Sequence, residues 1–257
     1  MLIALWAVLG LVFGSFGTVA AYRIPKRESL ATPSRSYCPN CSTTIRAAQN
    51  IPVVSFLVQR GKCRHCGERI SPRYPLTELI TAVLFALSAW RFGFSTELFV
   101  YPAFFWTLVV LSVIDLEHRL LPNRVVYPLF LIGWAALAIA AFAASEPERL
   151  YDALLGMAVF GGFFFLIAFL FPAGMGGGDV KLSFVLGTFL GYAGGIGFVV
   201  VGMFLAFLLG GVVGIAIMVM KGGDRKTMVP FGPFLATGAA IATFWGQGLI
   251  DLYLDRI

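Results

Sequence analysis

Eight apolar runs of membrane-crossing or near-crossing length constrain this chain more than any other feature. They extend from Leu2 to Ala21, Leu76 to Phe94, Leu98 to Ile114, Val125 to Ala144, Ala153 to Phe171, Val180 to Tyr192, Ile196 to Met220 and Phe231 to Tyr253. A helix needs about 20 residues to cross ~30 Å of hydrocarbon. The runs therefore predict an all-α polytopic membrane protein with about eight transmembrane helices. They are continuous rather than alternating, which excludes a β-barrel. With 59% apolar and 12% charged residues, a soluble enzyme is excluded as well. The first run has no basic residue ahead of it, and Tyr22-Arg23 follows directly in place of a small-residue cleavage site, so it reads as a retained span. The sixth run covers only about 20 Å, at ~1.5 Å per residue.

Between Arg23 and Arg73 the composition changes. This segment holds ten Lys and Arg, two acids (Glu28 and Glu68) and all four cysteines. The chain is accordingly divided into a first transmembrane helix (1–22), a small polar domain (23–74) and the remaining spans (75–257). Basic flanks are retained in the cytoplasm. With the polar domain inside, that side collects sixteen Lys and Arg, including Arg119, Arg124, Lys181, Lys221, Arg225 and Lys226, against Arg91, Arg149 and Arg256 outside. Both termini are then expected outside the cytoplasm. The basic domain suits anionic lipid headgroups, and no nucleic acid partner is expected.

Cys38 and Cys41 form one C-x-x-C, and Cys63 and Cys66 form another. Each such turn presents two sulfurs to one metal, and four suit tetrahedral Zn²⁺. In a reducing compartment a structural disulfide is disfavoured, so a structural zinc knuckle is expected. His65, inside the second pair, reads as a solvated loop residue.

Acids at the ends of apolar runs are costly and tend to be functional. Glu78, Asp115 and Asp179 remain once loop acids are set aside. Asp115 opens DLEHRLLPN, where Pro122 and Asn123 stop one helix and start the next. Asp179 closes GMGGGD, whose Gly174, Gly176, Gly177 and Gly178 are not expected to form stable helix. Irregular backbone at membrane depth is tolerated where it is buried in protein or lines a wet cavity. Two aspartates converging there can share a proton, one activating water while the other polarises a scissile carbonyl.

These segments resemble the bacterial type IV prepilin leader peptidases, intramembrane aspartic proteases of the G-x-G-D kind. The similarity runs in order through GSFGTVAAYRIPK from Gly14, the two C-x-x-C pairs, NIPVVSFLVQRGKC from Asn50, RYPLTEL from Arg73, DLEHRLLPN, GMGGGDVKL and PFGPFLA from Pro230. The resemblance implies catalytic aspartates at Asp115 and Asp179 and an aspartic peptidase domain over 75–257. It implies cleavage of prepilins or type II secretion pseudopilins after the glycine that ends a basic leader, at the cytoplasmic face of the bacterial inner membrane. It further implies N-methylation of the new N-terminus from S-adenosylmethionine, an activity associated with the cysteine-bearing domain. The first motif usually reads GSFLNV, and here Gly17 and Thr18 replace Leu and Asn. No residue is assigned to the S-adenosylmethionine site.

Other residues carry expectations of their own. Glu78 reads as a third acid near the aspartates, part of a methyl-transfer surface, or an anion at a helix N-terminus. Lys181 is expected to snorkel to the headgroups, and the aspartic mechanism does not require His118. Tyr151-Asp152 resembles the Y-D pair of presenilin-type proteases but falls on the outer side by charge. Competing readings are a presenilin-like or signal-peptide-peptidase-like protease, a proton-coupled transporter using the two aspartates as a relay, and a tethered zinc ribbon.

Overall fold

The computed structural model describes residues 1–32, 36–38, 40–172, 175–221 and 230–256. Arg35, Gly174, Arg225 and Lys226, which entered the sequence expectations, lie outside the described residues. Those described form eight α-helices: α1 (Leu2–Arg23), α2 (Val54–Val58), α3 (Arg73–Phe92), α4 (Glu97–His118), α5 (Asn123–Ala143), α6 (Arg149–Leu170), α7 (Gly177–Lys221) and α8 (Gly232–Leu254). Of these, α1 and α3 to α7 are long and apolar enough to cross a membrane.

Helix α7 is two helices joined at a break. Gly194 is extended and Gly195 takes φ +67°, a backbone region that L-residues with a Cβ avoid. The break separates the sixth and seventh apolar runs. Counting its halves separately, and with α8, eight helices among the described residues correspond to the eight apolar runs. Its first half, 177–193, is about 25 Å long at ~1.5 Å per residue, short of the ~30 Å hydrocarbon core.

The chain divides into two compact units. One comprises 1–94 and 101–110, the other 95–100 and 111–257. In the first, α1 and α3 pack at glycines. A Cβ on Gly10 would lie 2.6 Å from Ala82 Cα, and one on Gly14 2.6 Å from Glu78 Cα. This is a G-x-x-x-G contact, in which absent side chains let backbones approach closely enough for dispersion and weak hydrogen bonds to hold them without a hydrophobic driving force. The Trp106 indole N–H donates to the Phe13 carbonyl at 2.7 Å. Gly17 makes room for that ring, since a Cβ there would sit 3.0 Å from Nε1. After α1, the Arg23 guanidinium donates to the carbonyls of Ser29 (3.0 Å) and Leu30 (3.3 Å) and turns the chain back.

In the second unit, α6 and α7 meet through Gly156, Gly187 and Gly191, whose backbones touch without intervening side chains. Glu97 looked like a loop acid in the sequence but is 6% exposed. Its Oε1 accepts from the Arg149 guanidinium at 2.9 Å, and Arg149 also donates to the Tyr192 carbonyl at 3.2 Å and stacks on its ring. The pairing answers the cost of burying the charge, and it ties the starts of α4 and α6 to the end of α7's first half.

Candidate functional site

Asp115 lies in the last turn of α4. That helix stops when Arg119 adopts a left-handed conformation (φ 53°) and its N–H caps the Asp115 carbonyl at 2.8 Å. Pro122 then takes an extended conformation and α5 starts at Asn123, as the Pro-Asn pair predicts. Asp179 lies in the first turn of α7. The glycine run behaves differently from expectation here, because Gly177 and Gly178 are helical. They occupy the first turn, where unpaired N–H groups are normal, and Gly178 faces Leu121, with a Cβ there lying 3.0 Å from Leu121 Cβ.

Three segments converge at this point. Leu121, 8% exposed, also packs beside Gly232, where an added Cβ would meet its Cδ2 at 3.4 Å and Asp115 Oδ2 at 2.7 Å. The Gly232 N–H, at the start of α8, donates to Asp115 Oδ2 at 3.0 Å. Phe231, just before it, stacks among Phe164, Phe207 and Phe234 at centroid distances of 5.5 to 6.1 Å, which fixes the entry of α8. Asp115 is 5% exposed, and its carboxylate is within electrostatic reach of Asp179. The structure thus brings together, from two helices, the two acids chosen from sequence, which are 64 positions apart in the chain.

Within the second unit the remaining candidates do not join them. Lys181 Nζ donates to Asn123 Oδ1 at 3.0 Å and lies 5.6 Å over the Tyr127 ring, so it is held by α5 rather than lying loose along the lipid. His118 Nε2 is 3.9 Å from Glu117 Oε2 at the surface. The Asp152 carbonyl packs on Gly191, about 18 Å along α7 from Asp179. Glu78 belongs to the first unit, where its Oε2 accepts from the Val53 N–H at 2.7 Å.

The four cysteines also converge, with sulfurs all within 4.8 Å of one another and Cys38 3.9 Å from Cys66. Tetrahedral zinc with Zn–S bonds of about 2.3 Å places sulfurs about 3.8 Å apart, so the set fits. Each C-x-x-C has the same turn. The Cys38 N–H donates to the Thr43 carbonyl and the Ser42 N–H to the Cys38 carbonyl; Cys63, Glu68 and Gly67 repeat this at 2.8 and 3.0 Å. Ser42 and Gly67 both take positive φ, and single bridges, Tyr37 with Thr44 and Lys62 with Arg69, close the two loops. This structural repeat was not legible beyond the cysteine spacing. The Thr43 hydroxyl beside Cys41, with the Thr43 backbone, holds that thiol down at about 6. At Cys38 the Cys41 N–H likewise pulls the thiol down, but burial and the neighbouring thiols outweigh it and push it up to about 11. Four close sulfurs do not all ionise unless a cation sits among them, and a divalent metal draws each to thiolate.

Comparison with known proteins places the two units in one family. The Bacterial Peptidase A24 N-terminal domain matches residues 8–92 and the Type IV leader peptidase family matches 102–215. The chain is 39% identical over 249 residues to the prepilin leader peptidase/N-methyltransferase of Bacillus subtilis (strain 168), covering 96% of each. Proteins of the same name from Stutzerimonas stutzeri and Pseudomonas aeruginosa are 35% and 34% identical over 271 residues, with 96% of this chain and 92% of each relative covered. No solved structure matches significantly. With this identity carried over nearly its whole length, and with the aspartates and cysteines assembled as described, the chain belongs to the type IV leader peptidase family.

Proposed function

We propose that the protein is an intramembrane aspartic endopeptidase that removes the basic leader of type IV prepilins or pseudopilins after a glycine, and that it then N-methylates the exposed residue. The observation that carries the reading is the approach of Asp115 and Asp179 from two helices, one of them held by the Gly232 N–H. Asp115 and Asp179 are the catalytic residues of this reading. Two carboxylates in one partly dry site share a proton, because like charges at short range do not both ionise. The ionised member takes a proton from water as it attacks the scissile carbonyl, and the protonated member donates to the carbonyl oxygen. The proton then passes to the leaving amine. With Oδ2 of Asp115 tied to Gly232, Oδ1 is left to carry the shared proton. This chemistry needs no cofactor.

In the same reading the substrate's apolar helix lies beside the protein in lipid while its leader stays in water. The positive-inside count supports a cytoplasmic site in the bacterial inner membrane, with both termini on the opposite side. Zinc, held by Cys38, Cys41, Cys63 and Cys66, is structural and supplies folding energy to a polar segment with little core. S-adenosylmethionine, when bound, supplies an electrophilic methyl group.

Co-expression with a prepilin tests both activities by mass spectrometry. Asp115→Asn and Asp179→Asn each remove one carboxylate, and each should lower leader removal by about 10²-fold or more. Full processing by both variants would end the protease assignment. A mature product from the wild type that lacks the methyl increment would reduce the enzyme to a peptidase.

A further inference from the structure

Helix α4 carries Glu97 in its first turn and Asp115 in its last, 18 positions apart. The first half of α7 carries Asp179 in its first turn and Tyr192 near its end, 13 positions on. At ~1.5 Å per residue these spacings are about 27 and 20 Å. The two helices that bring the aspartates together at one end thus meet again at the other, in a single polar cluster. There the Tyr192 hydroxyl lies 3.5 Å from Glu97 Oε1, and Arg149, at the start of α6, joins both. All five residues belong to the second unit.

Arg149 Nη1 donates to Glu97 Oε1 at 2.9 Å and to Glu146 Oε2 at 3.0 Å, and its Nε donates to the Tyr192 carbonyl at 3.2 Å. Its guanidinium stands 4.2 Å from the centre of the Tyr192 ring. Gly194 and Gly195 break α7 just beyond. A helix end leaves its last carbonyls without intrahelical donors, and a cation is favoured there. Gly187 and Gly191 already seat this half-helix on the backbone of α6. What Arg149 adds is α4, through Glu97. A buried ion pair contributes little net stability, and its best-attested use is to fix register. Apolar contacts between helices in lipid lack a hydrophobic driving force, so they resist sliding of α4 along its axis less than a directed charge pair does.

We propose that Glu97 and Arg149 are positioning residues for peptide hydrolysis: they set the height of α4 against the first half of α7, and with it the separation of Asp115 and Asp179. The proposal rests on the aspartic-protease reading of the function and adds a requirement to it. Glu97 lies too far along α4 to reach the reacting atoms. The Gly232 N–H holds one oxygen of Asp115, while the Glu97 contact determines where along its axis α4 presents that carboxylate.

The test measures leader cleavage by the full chain in nanodiscs, with a prepilin as substrate. Glu97→Leu unties α4 and leaves Arg149 paired with Glu146. It should lower kcat between about tenfold and a hundredfold and leave KM unchanged. Loss of folded protein would also lower kcat, so the pH–rate profile discriminates. Two carboxylates that sit farther apart couple less, and the bell-shaped profile should narrow. Glu97→Gln keeps an oxygen for Arg149 and should retain most of the wild-type rate and the wild-type width. If Glu97→Leu does not fold, the pair Glu97→Met with Arg149→Met carries the same expectation, since replacing both charges by apolar side chains is often tolerated. A monodisperse variant with wild-type kcat, or with a lower kcat at unchanged width, overturns the proposal, and wild-type cleavage then leaves the protease reading standing. A wild type that cleaves no prepilin ends both.

Discussion

At position 232 a hydrogen in place of a side chain sets how near α8 comes to Asp115. Glycine lets the backbone N–H reach Oδ2 at 3.0 Å, and a Cβ would stand 2.7 Å from the same oxygen. Gly232→Ala should push that carboxylate off its donor. Displacements of about 1 Å cost on the order of 10²-fold in rate, so prepilin cleavage should fall between about tenfold and a hundredfold while zinc content stays constant. Wild-type cleavage by this variant would show that the N–H contact is dispensable. The role of Gly232 was not legible in PFGPF, because a backbone donor carries no residue-type signature. Asp115 and Asp179 were legible because a charged side chain beside an apolar run advertises its own cost. Glu97 escaped the same reasoning, since its partner Arg149 is remote in sequence and only the fold pairs them.

At the scale of elements, the two cysteine loops are small units of one design. Each supplies two sulfurs from a turn closed by the same pair of backbone hydrogen bonds. Cys63→Ser should therefore drop zinc from about one per chain toward zero rather than halve it, because a tetrahedral site missing one thiolate holds the metal poorly. Metal analysis under reducing conditions measures this, and undiminished zinc would remove the four-sulfur site. Limited proteolysis of the same variant should cut first within 36–70 if, as proposed, the segment folds with its metal. Spacing alone singled out the four cysteines whose sulfurs the fold brings together. The repeated turn was less legible, because Ser42 and Gly67 do the same conformational job with different side chains. The glycines of GMGGGD misled in part, since a first helical turn tolerates what a helix interior does not.

For the whole molecule, apolar runs gave element number and order closely, since a lipid environment leaves a backbone few alternatives to helix. Helix ends shifted by a few residues where Arg23, Arg73 and Arg119, polar in sequence, continue or stop helices through local hydrogen bonds. The charge asymmetry makes a prediction at this scale. Alkaline phosphatase, active only outside the cytoplasm, should be active when fused after residue 257 and inactive when fused after residue 118. The reverse pattern would invert every loop and put the aspartates on the other face.

The short first half of α7 has a consequence for energy conservation in the cell. Past Asp179, its inward face is Leu182, Val185, Leu186, Phe189 and Leu190, each at most 2% exposed. If water reaches the carboxylates from the near side, this apolar, close-packed face opposes its passage further along the half-helix, where the buried hydroxyls of Ser183 and Thr188 are already engaged with carbonyls of the same helix. Hydrolysis can then proceed inside an energised membrane without opening a leak for the proton gradient on which that membrane depends.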